Sequence, residues 1–292
     1  MDDYRQTGPC RFVVDEGEWL DATRNRSLRW TSLHPLAEPA APLIIYSHGL
    51  GGSRDSGLAW RRHWASWGIA SLALQHPGTD REALPGGSPL ALRHLLRTAV
   101  DKAQLAARQH DLLFALEQLA YQQPDRRIGI AGHSYGAVSA LRLIGERRGD
   151  NDLPADPRIA AALLLSPSAR GGSLPLDERF ADVAMPCLHL TGSADDGIGR
   201  GDIDASERCL PFRHSRHTGQ YLLVLANARH TDLAGDSMHA SPRLQPLLQA
   251  ASTAFWRAHL LDDRQALNCL CSKLPNQLIP ADHFEQRPVQ SH

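Results

Sequence analysis

The chain has 292 residues, 42% hydrophobic and 22% charged, with a formal net charge of −1. That balance supplies a large core and excludes global disorder, and the near-zero charge excludes a polyanion-binding or electrostatically membrane-anchored protein as the expected class. No apolar run approaches the ~20 residues of a membrane span.

The start, Met1-Asp2-Asp3-Tyr4-Arg5, is polar and acidic with no apolar signal segment behind it, so a cytoplasmic location is expected. The five cysteines, Cys10, Cys187, Cys209, Cys269 and Cys271, are odd in number and scattered. They read as reduced thiols rather than a disulfide framework or a zinc site.

In chain order, Phe12-Val13-Val14 and Ser27-Leu28-Arg29-Trp30 predict a leading antiparallel hairpin. Pro42–Tyr46 predicts a buried strand, followed by a Trp-rich helix over Ser56–Trp67 and a second strand over Ile69–Leu74. A helical stretch over about 89–121 places Leu112, Ala115, Leu116 and Leu119 on one face. Its early part, within about 80–105, reads either as a small cap excursion or as a plain sheet-packing helix. Strands are predicted at Arg127–Ala131, Ile159–Leu165, Cys187–Leu190 and Tyr221–Leu225, and a helix over about Leu244–Leu261 with Phe255 and Trp256 on its core face. Residues 275–292 read as an irregular tail. Short unalternating apolar runs separated by helices predict a mostly parallel α/β sheet covered on both faces, with residues 1–292 as a single domain and a core over about 40–260.

The chemistry starts at Gly132-His133-Ser134-Tyr135-Gly136, between the Arg127–Ala131 strand and a helix-like run. Strand, G-x-S-x-G, helix is the context of a nucleophile elbow: small flanking residues permit a sharp turn that lifts the serine hydroxyl beside a helix N-terminus. A carboxylate and then a histidine are required further along the chain. After Cys187–Leu190 comes Thr191-Gly192-Ser193-Ala194-Asp195-Asp196, which makes Asp195 the candidate acid, Asp196 its competitor and Asp177 a third option. After the last strand, Ala226-Asn227-Ala228-Arg229-His230 makes His230 the candidate base. His133 is expected to point away, and His214 and His217 to line an entrance or lie in solvent. For an oxyanion hole, the expected donors are the N–H of Tyr135 and, from the glycine-rich Ser47-His48-Gly49-Leu50-Gly51-Gly52, the N–H of Leu50.

These segments, with Gln75-His76-Pro77-Gly78-Thr79-Asp80, Arg108-Gln109-His110-Asp111 and Asp156-Pro157-Arg158-Ile159, resemble the α/β-hydrolases, in particular the branch of predicted dienelactone hydrolases near platelet-activating-factor acetylhydrolases and polyester-degrading cutinases. The resemblance covers about residues 40–260. It implies an α/β-hydrolase fold and a serine hydrolase of small-molecule carboxylic esters, with no metal or organic cofactor. True dienelactone hydrolases carry a cysteine nucleophile where this chain has Ser134, so the resemblance does not carry their substrate. Small or medium acyl groups are expected, since no large apolar lid is visible. Acyl transfer and amide hydrolysis use the same triad, and a silent ligand-binding scaffold is a further alternative. The sequence carries no signal for oligomeric state.

Overall fold

The computed structural model describes residues 3–36, 40–83, 101–149, 152–197, 203–235 and 241–287. Its strands are β1 (Phe12–Asp21), β2 (Arg26–Pro35), β3 (Leu43–Ser47), β4 (Ala70–Leu74), β5 (Ile128–His133), β6 (Ile159–Leu165), β7 (Cys187–Ala194), β8 (Gln220–Arg229) and β9 (His283–Arg287). They form one sheet in the order β1-β2-β4-β3-β5-β6-β7-β8-β9. The ladders joining β3 to β8 are parallel, and β1, β2 and β9 run antiparallel at the two margins.

The central strands are buried on both faces, and their side chains alternate between two cores. Ile44, Tyr46, Leu163 and Leu165 join Trp60, Trp64, Phe255 and Trp256 on one face. Leu43, Ile45, Ala162 and Leu164 join Leu112, Leu116 and Leu141 on the other. The longer helices therefore divide between the faces. Helices α1 (Leu58–Ser66) and α4 (Leu244–Leu260) cover the first, joined by the edge-on pair Trp64–Trp256 at 5.9 Å. The tryptophan-rich segment forms a helix because these rings share one buried face. Helices α2 (Lys102–Gln122) and α3 (Tyr135–Leu143) cover the second face. Asp101 starts α2, its carboxylate accepting from the Ala103 N–H at 2.8 Å.

Two expectations need amendment. The tail is not irregular throughout: β9 pairs with β8 from Gln220↔Arg287 to Val224↔His283. Its sequence, His-Phe-Glu-Gln-Arg, has a single apolar residue because a marginal strand buries little, so no apolar run announces it. The segment expected as a cap, about 80–105, lies mostly outside the described residues, since 84–100 fall there; the parts within them are a 3-10 turn at Arg81–Ala83 and, from Lys102, regular helix. Among the described residues no helix is long and apolar enough to cross a membrane.

Candidate active site

Strand β5 delivers Ser134 at its C-terminal end, with φ 55 and ψ −118, and α3 begins at the next residue. Such a conformation is costly for a residue with a side chain and persists only where its surroundings impose it. Here the Ser134 N–H donates to Leu165 O at 2.8 Å and its carbonyl accepts from Val138 N–H at 3.1 Å. The two motif glycines are steric necessities. A Cβ on Gly132 would lie 2.2 Å from Gly136 O, and one on Gly136 would lie 1.9 Å from Ser47 O. Tyr135 is the first residue of α3, so its N–H is among those a helix leaves without an internal partner.

Asp195 and His230 meet because of the β7–β8 register. Ala194 and Arg229 are ladder partners, after a shift at Gly192/Ala194, and the next residue on each strand is the candidate acid or base. His230 Nδ1 lies 2.7 Å from Asp195 Oδ1. Asp195 is fully buried, and Thr191 Oγ1 donates to its other oxygen at 2.7 Å. Burial alone would push the Asp195 carboxyl up. The His230 hydrogen bond and the Arg208 charge outweigh burial and hold it below the ordinary carboxylate range. With a carboxylate that close, the imidazole proton belongs on Nδ1, which leaves Nε2 as the free acceptor.

The competitors are occupied elsewhere. Asp196 is exposed and accepts from the Ala205 N–H at 3.2 Å. Asp177 pairs with His214 at 2.8 Å and Arg216 at 3.3 Å, and His217 Nε2 reaches Ala181 O at 2.9 Å. His133 does not point away, as expected from the elbow, but packs against the candidate base. Its ring centroid is 4.7 Å from that of His230, and its Nε2 donates to His230 O at 3.1 Å. Burial lowers the His133 pKa to about 3, so this imidazole is a neutral spacer between elbow and base loop.

The glycine-rich loop after β3 abuts Ser134: a Cβ on Gly49 would lie 3.5 Å from Ser134 Cβ and 3.2 Å from His133 Nδ1. The Gly51 N–H is engaged by Thr79 O at 2.9 Å and the Gly52 N–H by Gly49 O at 3.2 Å, one and two residues beyond Leu50. Beneath the loop runs a fully buried polar chain that the sequence motifs named without explaining. Arg108 Nη2 donates to Ser47 Oγ at 3.0 Å, Ser47 Oγ to His76 Nε2 at 3.0 Å, and His76 Nδ1 to Asp111 Oδ2 at 3.0 Å. Arg26 and Arg24 close the chain on Asp111 at 2.7 and 2.8 Å. The direction is forced, because a guanidinium only donates and a carboxylate only accepts. Arg108 also bonds the His48 carbonyl and lies 4.9 Å over the Tyr135 ring, so one side chain spans both candidate oxyanion donors' segments. His48 accepts the His76 N–H at Nε2 (3.0 Å) and donates from Nδ1 to Gly49 O (2.6 Å). Gly49 O and the Leu50 N–H belong to one trans peptide and point in opposite directions, so this bond also orients the candidate donor.

Motif reading missed Arg208, Thr191 and the depth of the Arg108 network. Arg208 stands alone in a polar segment, and no spacing rule connects it to Asp195. Among the described residues no group of three or more His, Cys, Asp or Glu is arranged to hold a metal ion.

No protein-family model matches the sequence, and no curated protein matches it. Solved structures do match in shape. Three are of a cold-adapted esterase from an Arctic intertidal metagenomic library, in PEG-bound, native and zinc-bound forms. Their TM-scores are 0.61, 0.59 and 0.57 at 17%, 17% and 18% identity, each alignment covering 85% of this chain and 94% of the other. The fold is an α/β-hydrolase fold. In this α/β-hydrolase sheet, Ser134, Asp195 and His230 all follow the C-terminal ends of parallel strands, the edge at which such sheets carry their ligands.

Proposed function

We propose that the chain is a serine hydrolase of carboxylic esters, acting through an acyl-enzyme on Ser134. The observation that carries this reading is the 2.7 Å contact between His230 and a buried Asp195 at the same sheet edge as a serine held at φ 55. The similar solved structures are of an esterase, which favours an ester over an amide as substrate. The likeness to the predicted dienelactone hydrolase and platelet-activating-factor acetylhydrolase branch belongs to the same proposal, and rests on the His76-Pro77-Gly78 and Arg108-x-x-Asp111 segments.

In this mechanism His230 Nε2 takes the proton of Ser134 as the hydroxyl oxygen attacks the ester carbonyl. Asp195 holds the ring's Nδ1–H and stabilises the imidazolium that forms. The developing oxyanion receives the N–H groups of Leu50 and Tyr135, each worth about 3 kcal/mol in the transition state. His230 then protonates the leaving alcohol, and in the second half it deprotonates the water that releases the acid.

A p-nitrophenyl ester series from acetate to palmitate tests both the reaction and the expected chain length. The wild type turns over acetate and butyrate fastest, and Ser134→Ala loses at least about a thousandfold in kcat. Full activity in Ser134→Ala overturns the mechanism; a clear preference for palmitate overturns the small-acyl expectation.

A further inference from the structure

We propose that Arg208 is a positioning residue of this reaction, holding the Asp195 carboxylate and its loop in register with His230; the inference rests on the triad reading above. Arg208 is carried by a short 3-10 turn, Ala205–Cys209, which Asp204 enters through a capping box with Glu207. Its side chain is only 2% exposed. Burying a guanidinium is costly unless its donors are met, so a buried arginine in this position is held by specific acceptors.

Those acceptors come from two neighbouring strand ends. Nη1 donates to Ser166 O at 3.1 Å and Pro167 O at 3.4 Å, just beyond β6. Nε donates to the Asp195 backbone carbonyl at 3.2 Å, just beyond β7, and lies 3.5 Å from Asp195 Oδ1. Ser166 itself sits at φ 51, so Arg208 grips a turn that does not adopt its shape unaided.

Nη2 approaches within 3.3 Å of His230 Nδ1, the atom that Asp195 Oδ1 reaches at 2.7 Å. A guanidinium never accepts a hydrogen bond, so only Asp195 takes the Nδ1 proton. Arg208 contributes by acting on Asp195. Thr191 fixes Oδ2, and the Arg208 charge draws on Oδ1. The carboxylate plane is thereby set from both sides without help from the imidazole. It stays aimed at His230 through the part of the cycle in which the ring must change its proton and shift toward substrate.

A strut that merely supports the loop and a residue that aims the carboxylate differ in their kinetics. Arg208→Ala, Arg208→Gln and Arg208→Lys are compared with wild type and Ser134→Ala for kcat and KM on p-nitrophenyl acetate, with circular dichroism and thermal melts checking the fold. We expect Arg208→Ala to lose about 10- to 100-fold in kcat with KM within about threefold, as for a small misplacement of reacting groups. Lysine should keep more kcat than glutamine, and added guanidinium ion should restore part of kcat in Arg208→Ala and none in Asp195→Asn. Should Arg208→Ala fail to fold, the lysine–glutamine order carries the comparison. Wild-type kcat in Arg208→Ala or Arg208→Gln, a loss confined to KM, or equal losses in lysine and glutamine overturns the inference. If Ser134→Ala still turns over ester, the triad reading itself has failed. If Ser134→Ala is silent while Arg208→Gln is fully active, only the role of Arg208 has.

Discussion

Asp195 is bonded by Thr191 and His230 and lies within reach of Arg208, while its neighbour Asp196 faces solvent. The two carboxylates differ by one place in the chain, and β7's register makes one a core group and the other a surface group. Asp195→Asn should therefore lower kcat by about 10⁴-fold, because an amide stabilises neither the correct tautomer nor the imidazolium. Asp196→Asn should stay within about twofold. Equal losses in the two variants would contradict the assignment, and steady-state kinetics on one short-chain ester decides it. The candidates Ser134, Asp195 and His230 could be named from the sequence because each lies within a few residues of the end of an apolar run, and the end of a run is a local feature. Arg208 was not legible, because its partners are carbonyls at Ser166, Pro167 and Asp195 and no residue type marks a carbonyl that will need a donor. His133 was misread for a related reason: elbow geometry fixes the direction of its backbone, while the loop carrying His230, 97 residues later, decides what its ring touches.

At the level of elements, the sheet was read well where strands are covered on both faces. Continuous apolar runs at Ile159–Leu165 and in β3 and β4 leave no alternative to a buried strand. The ends of β7 and β8 were read short, because Gly192, Ser193, Asn227 and Arg229 are not apolar although the ladder continues through Ala194↔Arg229. That extension carries the geometry of the candidate site, and it needs Gly192, where a Cβ would lie 2.0 Å from Ala228 O. The elbow glycines lead to a prediction with an unusual sign. In a helix, Gly→Ala normally stabilises by about 1 kcal/mol. Gly136 lies in the first turn of α3, yet its Cβ would meet Ser47 O at 1.9 Å, so Gly136→Ala should cost more than about 3 kcal/mol. Urea denaturation measures this; a stabilised or unchanged Gly136→Ala would mean that the β3–α3 approach is looser than described.

Across the whole molecule, several buried imidazoles are held neutral. Burial lowers His76 and His189 to about 4 and His133 to about 3, and pushes His48 well below its ordinary 6.5. The unfolded chain binds protons at these sites near pH 6.5 while the folded chain does not, so each group withdraws stability as pH falls below that value. The loss is about 1.4 kcal/mol per pH unit for each histidine until its folded pKa is reached. The lowered carboxyls of Asp195 and Asp111 act in the same direction further into acid, since their stabilisation is present above the ordinary carboxylate range and lost below it. Thermal melts should therefore give a Tm that falls steeply from about pH 7 to about pH 5; a flat profile would show that these imidazoles take up protons in the folded state. The proposed chemistry itself asks that one hydroxyl among all those in the chain be made reactive by an imidazole distant in sequence. The most direct test is labelling with a fluorophosphonate probe, read by intact mass and peptide mapping. One adduct, on Ser134, absent in Ser134→Ala and formed far more slowly in His230→Gln, is the predicted result. Labelling that persists in Ser134→Ala, or that proceeds at full rate in His230→Gln, would contradict the account.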